Sequence, residues 1–148
     1  MKKLLLGLSV LALSSSAVAA TQLGAYLFGV QYRRDGGLRY GLGLPATSVL
    51  TGLNLSGDAS YLRPLSGAAS GVFSPYYGFG LGAGVSLGGG AGFSLYPNVL
   101  VGADISTGSA FTPFLEGSLG PSLSLGSGSG LKLKVGYGLR LGVNYRLP

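Results

Sequence analysis

A chain of 148 residues with 47% apolar content and only 9% charged residues has room for one domain and little of the polar surface that a soluble exported domain carries. Ten Lys and Arg outnumber four Asp and Glu, for a formal charge of +6, and there is no Cys and no His. The missing thiols and imidazoles exclude a disulfide framework, a lipid-modified cysteine and Cys/His metal centres. They also leave no base of near-neutral pKa to activate a hydroxyl, so no enzyme is expected.

The chain opens with Met1-Lys2-Lys3, an apolar stretch over 4–13, then Ser14-Ser15-Ser16 and Ala17-Val18-Ala19-Ala20. A basic start, a short apolar core and a small-residue site predict a secretory signal cleaved near Ala19 or Ala20. The core is too short to span a bilayer, which takes about 20 residues. The chain is therefore read as a signal over 1–20 and a mature domain over 21–148, with a charge of +4 once Lys2 and Lys3 have left. Export argues against nucleic acid as the partner of that charge.

The mature region alternates in segments. Over 22–33, Tyr26, Phe28, Val30 and Tyr32 fall on one face, with Ala25, Gly29, Gln31 and Arg33 on the other. Asp35-Gly36-Gly37 predicts a hairpin turn. Leu38, Tyr40, Leu42 and Leu44 then alternate with Arg39, Gly41 and Gly43 up to Pro45. A segment over 49–56 ends at a turn placed on Gly57-Asp58, and a weaker one over 59–65 precedes a loop at 66–71. Over 77–87, apolar residues alternate with glycines, and Gly88-Gly89-Gly90 turns the chain. Segments over 91–96 and 99–106 flank Pro97-Asn98, read as a turn. Segments over 111–119 and 123–125 flank Gly120-Pro121, read as a break. A Gly-Ser turn at 126–130 leads into the last run. There every odd residue from Leu131 to Leu147 is apolar, and every even one from Lys132 to Arg146 is Lys, Arg, Gly or Asn.

Period two marks an extended strand, because successive side chains point to opposite faces. The last run exceeds both the usual strand of about 5–6 residues and the 9–11 tilted residues, roughly, that cross a hydrocarbon layer. Ten segments with weak neighbours able to merge predict eight to ten strands, and the short turns make them antiparallel. An open sheet in lipid would leave its edge groups unpaired, so closure is expected. The fold class predicted is all-β: an antiparallel, up-and-down transmembrane β-barrel of 8–10 strands behind an N-terminal signal peptide. Tyr32, Tyr40, Tyr61, Tyr76, Tyr77, Tyr96, Tyr137 and Tyr145 lie near strand ends or along outward faces, where some form interfacial girdles.

The end of the chain carries a second signal. Arg140, Gly142, Tyr145 and Leu147 stand at polar, glycine, aromatic and apolar positions of a closing stretch. This stretch resembles the C-terminal assembly signal of bacterial outer-membrane β-barrel proteins, although Pro148 stands where that class usually ends on an aromatic residue. The resemblance implies residence in the bacterial outer membrane, with the lipid bilayer and the barrel-assembly machinery as partners.

Parity then assigns the interior. If the apolar faces meet lipid, Arg33, Arg39, Lys132, Lys134, Arg140 and Arg146 face inward, and closure of the last strand on the first gathers them into one basic wall. Asp104 and Glu116 share that parity and are candidate partners across the lumen, since unpaired buried charge is costly. Fully paired, these groups make a sealed polar core, as befits a barrel of eight strands. With base in excess, they line a narrow anion-preferring path. The inward glycines leave room for water or for Tyr rings. The function expected is a structural or envelope-integrity barrel, or a minimal pore, with no cofactor and no metal. The alternative is a secreted glycine-rich β protein that self-assembles as an adhesin or fibre.

Overall fold

A computed structural model of the chain describes residues 21–44, 54–86 and 91–148. The predicted signal over 1–20, most of the segment placed at 49–56 and the Gly88-Gly89-Gly90 turn lie outside the described residues. Eight antiparallel strands follow in order: β1 (Gln22–Tyr26), β2 (Gly29–Arg33), β3 (Leu38–Gly43), β4 (Asn54–Pro64), β5 (Phe73–Ser86), β6 (Gly92–Ile105), β7 (Phe111–Gly126) and β8 (Ser129–Arg146). Each pairs with the next and β8 pairs with β1, which makes a closed up-and-down barrel.

The ladder fixes the shape. Starting at Tyr26 and stepping through facing residues leads to Gly29, Gly43, Ser56, Gly84, Ser94, Ser124 and Lys132. Tyr26 itself pairs directly with Gly142, ten residues along β8 from Lys132. A stagger of ten over eight strands tilts the strands by roughly 40° and gives a barrel radius of about 8 Å. The wall is uneven. β1, β2 and β3 have 5, 5 and 6 residues, whereas β5 to β8 have 14, 14, 16 and 18. At about 2.5 Å of height per tilted residue, strands β1 to β3 as described rise about 13 Å and β5 to β8 about 35–45 Å.

The strand count differs from the ten segments for identifiable reasons. The segment over 22–33 is two strands joined by a tight turn at Leu27 and Phe28, with Tyr26 facing Gly29. Nothing at these positions is a turn former, and Phe28 carries the turn with a φ of 70°. Tyr26 therefore faces inward while Val30 and Tyr32 face outward, not together on one face. Three predicted breaks are absent. Gly57-Asp58 lies within β4, Pro97-Asn98 within β6, and Gly120-Pro121 within β7. The β6–β7 ladder skips from Leu95↔Leu123 to Val99↔Leu119. Within that gap Pro97 and Pro121 lie opposite each other, so the missing donors of both prolines fall in one place and each strand continues through it.

Side chains alternate about this wall. Leu, Val, Phe, Tyr, Ile, Ala, Pro and two glycines fill the outward positions of the described strands, and Arg63 is the one charged residue among them. Tyr32, Tyr40, Tyr61, Tyr77, Tyr137 and Tyr145 are on this outer face. Tyr76 and Tyr96, expected at strand ends or outside, face inward together with Tyr26. Inward glycines make the space: the ring of Tyr26 lies over Gly29, that of Tyr76 over Gly102 and that of Tyr96 over Gly136.

Candidate functional site

The polar interior is built from the inward rows of every strand: even residues on β1 and β4 to β8, odd residues on β2 and β3. At its centre, Arg39 on β3 reaches across to Glu116 on β7, and the two are 1% and 3% exposed. Both guanidinium Nη atoms donate to the carboxylate: Nη1 to Oε2, and Nη2 to Oε1 at 2.9 Å. Arg39 Nε donates to Ser60 Oγ at 3.1 Å, and the Tyr76 hydroxyl donates to Glu116 Oε2 at 3.2 Å. Such a planar two-bond pairing is the strongest ion-pair geometry available to a side chain.

Two further pairs flank it. Arg140 on β8 donates to both oxygens of Asp58 on β4, Nη2 to Oδ1 at 2.5 Å and Nη1 to Oδ2 at 3.2 Å. Its guanidinium stacks over the Tyr26 ring at 4.9 Å and comes within 3.9 Å of Glu116. Arg33 on β2 donates to Asp104 Oδ2 on β6 at 2.6 Å and lies over the Tyr76 ring at 5.2 Å. Gln31 donates to Asn144 at 2.7 Å, joining β2 to β8 across β1. Leu62, Tyr76 and Leu100 form a small buried cluster, and Phe114 is fully buried. Three arginines thus meet three carboxylates, and each pair spans strands that are not neighbours in the sheet.

The residues singled out by parity divide into two groups. Arg33, Arg39, Arg140, Asp104 and Glu116 lie in the lumen and take part in these pairs. Lys132 and Lys134 are exposed near the β7–β8 turn, and Arg146 is exposed at the opposite end beside Gln22. The six cations are therefore not one wall: three arginines are dispersed among acids and the other three cations sit at the two rims. Asp58 is the acid that sequence reasoning misses, because Gly57-Asp58 reads as a turn. Its even parity, shared with Ser56 and Ser60, is the signal that puts it inside.

Of the residues in the closing stretch, Gly142 sits against the Ala25 carbonyl and the Phe114 ring at the β8–β1 closure. The outward Tyr145 ring is 5.1 Å from that of Phe111. Leu147 donates its N–H to the Thr21 carbonyl at 2.8 Å. Among the described residues no group of three or more Asp, Glu, His or Cys is placed to hold a metal ion. Comparison with protein-family models, with curated proteins and with solved structures finds no match, so the functional reading rests on this geometry.

Proposed function

We propose that the chain is a membrane-embedded β-barrel of the bacterial outer-membrane type, exported by the segment over 1–20, whose interior is braced shut and whose role is structural, in the integrity of the envelope. One observation carries this reading: the distribution of polarity is inverted relative to a protein folded in water. The paired charges and amides lie inside, among glycines and a few buried rings, while nearly every outward position is apolar and many of these residues are exposed. An apolar outer face on a closed ladder is what lipid requires, since a bilayer offers no partner to a free backbone group. Strands β4 to β8, at 11 to 18 residues, meet or exceed the roughly 9–11 needed to cross. On the short side, exposed Leu27, Phe28 and Leu44 extend the apolar surface beyond β1–β3.

The ion-paired layer favours a plug over a pore. A barrel of eight strands is just wide enough to be filled by side chains, and the Arg39–Glu116 layer here is closed to solvent. The resemblance of the C-terminal stretch supports insertion by the barrel-assembly machinery.

Fractionation and conductance test the proposal together. The protein is expected in the outer-membrane fraction, with faster migration on a denaturing gel before boiling than after it. In planar bilayers it is expected to give no steady conductance. Recovery as a monomer in detergent-free buffer would refute the membrane reading. A sustained open channel would refute the plug while leaving the barrel in place.

A further inference from the structure

The β1–β2 hairpin is shorter than the strand it closes against. β1 covers β8 only from Gly142 to Arg146, and the last bond on that side runs from the Leu27 N–H to the Leu141 carbonyl at 3.0 Å. From Leu139 back to Leu131, β8 has β7 on one side and, among the described residues, no strand on the other. Backbone groups alternate in direction along an antiparallel strand. Even residues of β8 point toward β7, as the Arg146 N–H does in bonding the Ala110 carbonyl, and odd ones point toward β1, as the Leu147 N–H does in bonding Thr21. The N–H and C=O groups of Leu131, Leu133, Val135, Tyr137 and Leu139 therefore face a side on which no described strand pairs with them.

The side chains repeat the same asymmetry. Those five residues point outward and are 67–86% exposed, more than any other large apolar residue described. On the opposite face of the same stretch stand Lys132 and Lys134. The lumen carboxylates are engaged by arginines, and no ion pair among the described residues reaches either lysine.

We propose that the β8 edge from Leu131 to Leu139 receives an extended segment of a partner protein in which carboxylates alternate with apolar residues. Main-chain pairing would satisfy the five odd residues, as in strand addition to any exposed sheet edge. The partner's apolar side chains would continue the outer face. Its carboxylates would lie opposite Lys132 and Lys134 in the non-hydrogen-bonded pairs, where Cα atoms are about 4.5 Å apart and side chains are closest. A second copy of this chain fits less well. Its β8 edge brings more lysine and no acid, and edge-to-edge antiparallel pairing points the two barrels in opposite directions. The proposal goes beyond the membrane reading and does not depend on it, because an unpaired edge is unsatisfied in lipid and a template for association in water.

The test uses the purified chain in detergent micelles and a fluorescein-labelled nine-residue peptide alternating Leu and Glu, with a Leu-Lys peptide of the same length as control. Binding is read by fluorescence anisotropy. The Glu peptide is expected to bind about ten-fold more tightly than the Lys peptide. The double variant Lys132→Glu, Lys134→Glu reverses that order. Tyr137→Pro removes an N–H that faces this side and none that β7 uses, and it weakens the Glu peptide by about ten-fold. Equal binding of the two peptides, or an order that survives the charge reversal, overturns the proposal. So does a Val135→Cys variant whose copies cross-link to one another with a short thiol reagent, since the edge would then belong to a second copy.

Discussion

Replacing Glu116 with leucine removes the carboxylate that holds Arg39, and the structure sets the size of the effect. Arg39 is 1% exposed and would keep only its bond to Ser60, while the Tyr76 hydroxyl would lose its acceptor. The other lumen carboxylates described, Asp58 and Asp104, are held by Arg140 and Arg33, so neither is free to take Arg39. Breaking a buried pair from one side costs about 3–5 kcal/mol, because a desolvated charge is left without its counterion. With a urea dependence of about 2 kcal/mol per molar for a domain of this size, the unfolding midpoint falls by roughly 1.5–2.5 M. The assay is urea unfolding of the micelle-bound protein, followed by far-ultraviolet circular dichroism. Arg39→Met should cost a similar amount. The double variant, Arg39→Met with Glu116→Leu, is the decisive measurement, because an apolar pair of similar volume replaces the ions without leaving either alone. It is expected to recover to within about 1 kcal/mol of the parent. Costs that simply add, or a single Glu116→Leu change of less than about 1 kcal/mol, would refute the view that this pair is a buried, mutually dependent brace.

The outer ion pair should matter less: Asp104→Asn is expected to cost about 1 kcal/mol or less, since both partners are partly exposed, and the same urea titration ranks it against Glu116→Leu. Gly142→Ala and Gly117→Ala separate two uses of glycine. A methyl group at Gly142 would strike the Ala25 carbonyl, the Tyr26 backbone and the Phe114 ring, so folded yield and midpoint should drop, by about 1–3 kcal/mol; at Gly117 it meets nothing within 4 Å and the midpoint should hold or rise. Phe28→Gly relieves a left-handed backbone at the β1–β2 turn and should stabilise by about 0.5–1 kcal/mol, with a lower midpoint refuting the strain.

Much of this architecture is legible in the sequence because parity within a strand is dictated by sterics alone, whatever the position of its ends. Glu116, Asp104, Arg39 and Arg33 are assigned to one side by counting in twos, and closure in space brings them together. What fails is the reading of turns from dipeptides, and the reason lies in the same parity. A two-residue turn joins residues of opposite parity, as Tyr26 and Gly29 do. Across Pro97-Asn98 the apolar residues stay odd, from Phe93 and Leu95 to Val99 and Val101, so the chain cannot reverse there in two residues without turning its apolar face inside out. The same continuity holds for Leu53 and Leu55 with Ala59 and Tyr61 across Gly57-Asp58, and for Leu119 with Leu123 across Gly120-Pro121. Between Leu23 and Val30 the apolar positions switch from odd to even, and there the chain does turn, at two residues with no turn-forming chemistry. Parity thus outranks composition in a two-faced sheet, because a slip exposes a whole row of side chains whereas a poor turn residue strains one. Asp58 is the consequence for function: once β4 runs unbroken, its even position places a third carboxylate opposite Arg140, and the interior that composition suggested was basic is balanced among its described ion pairs.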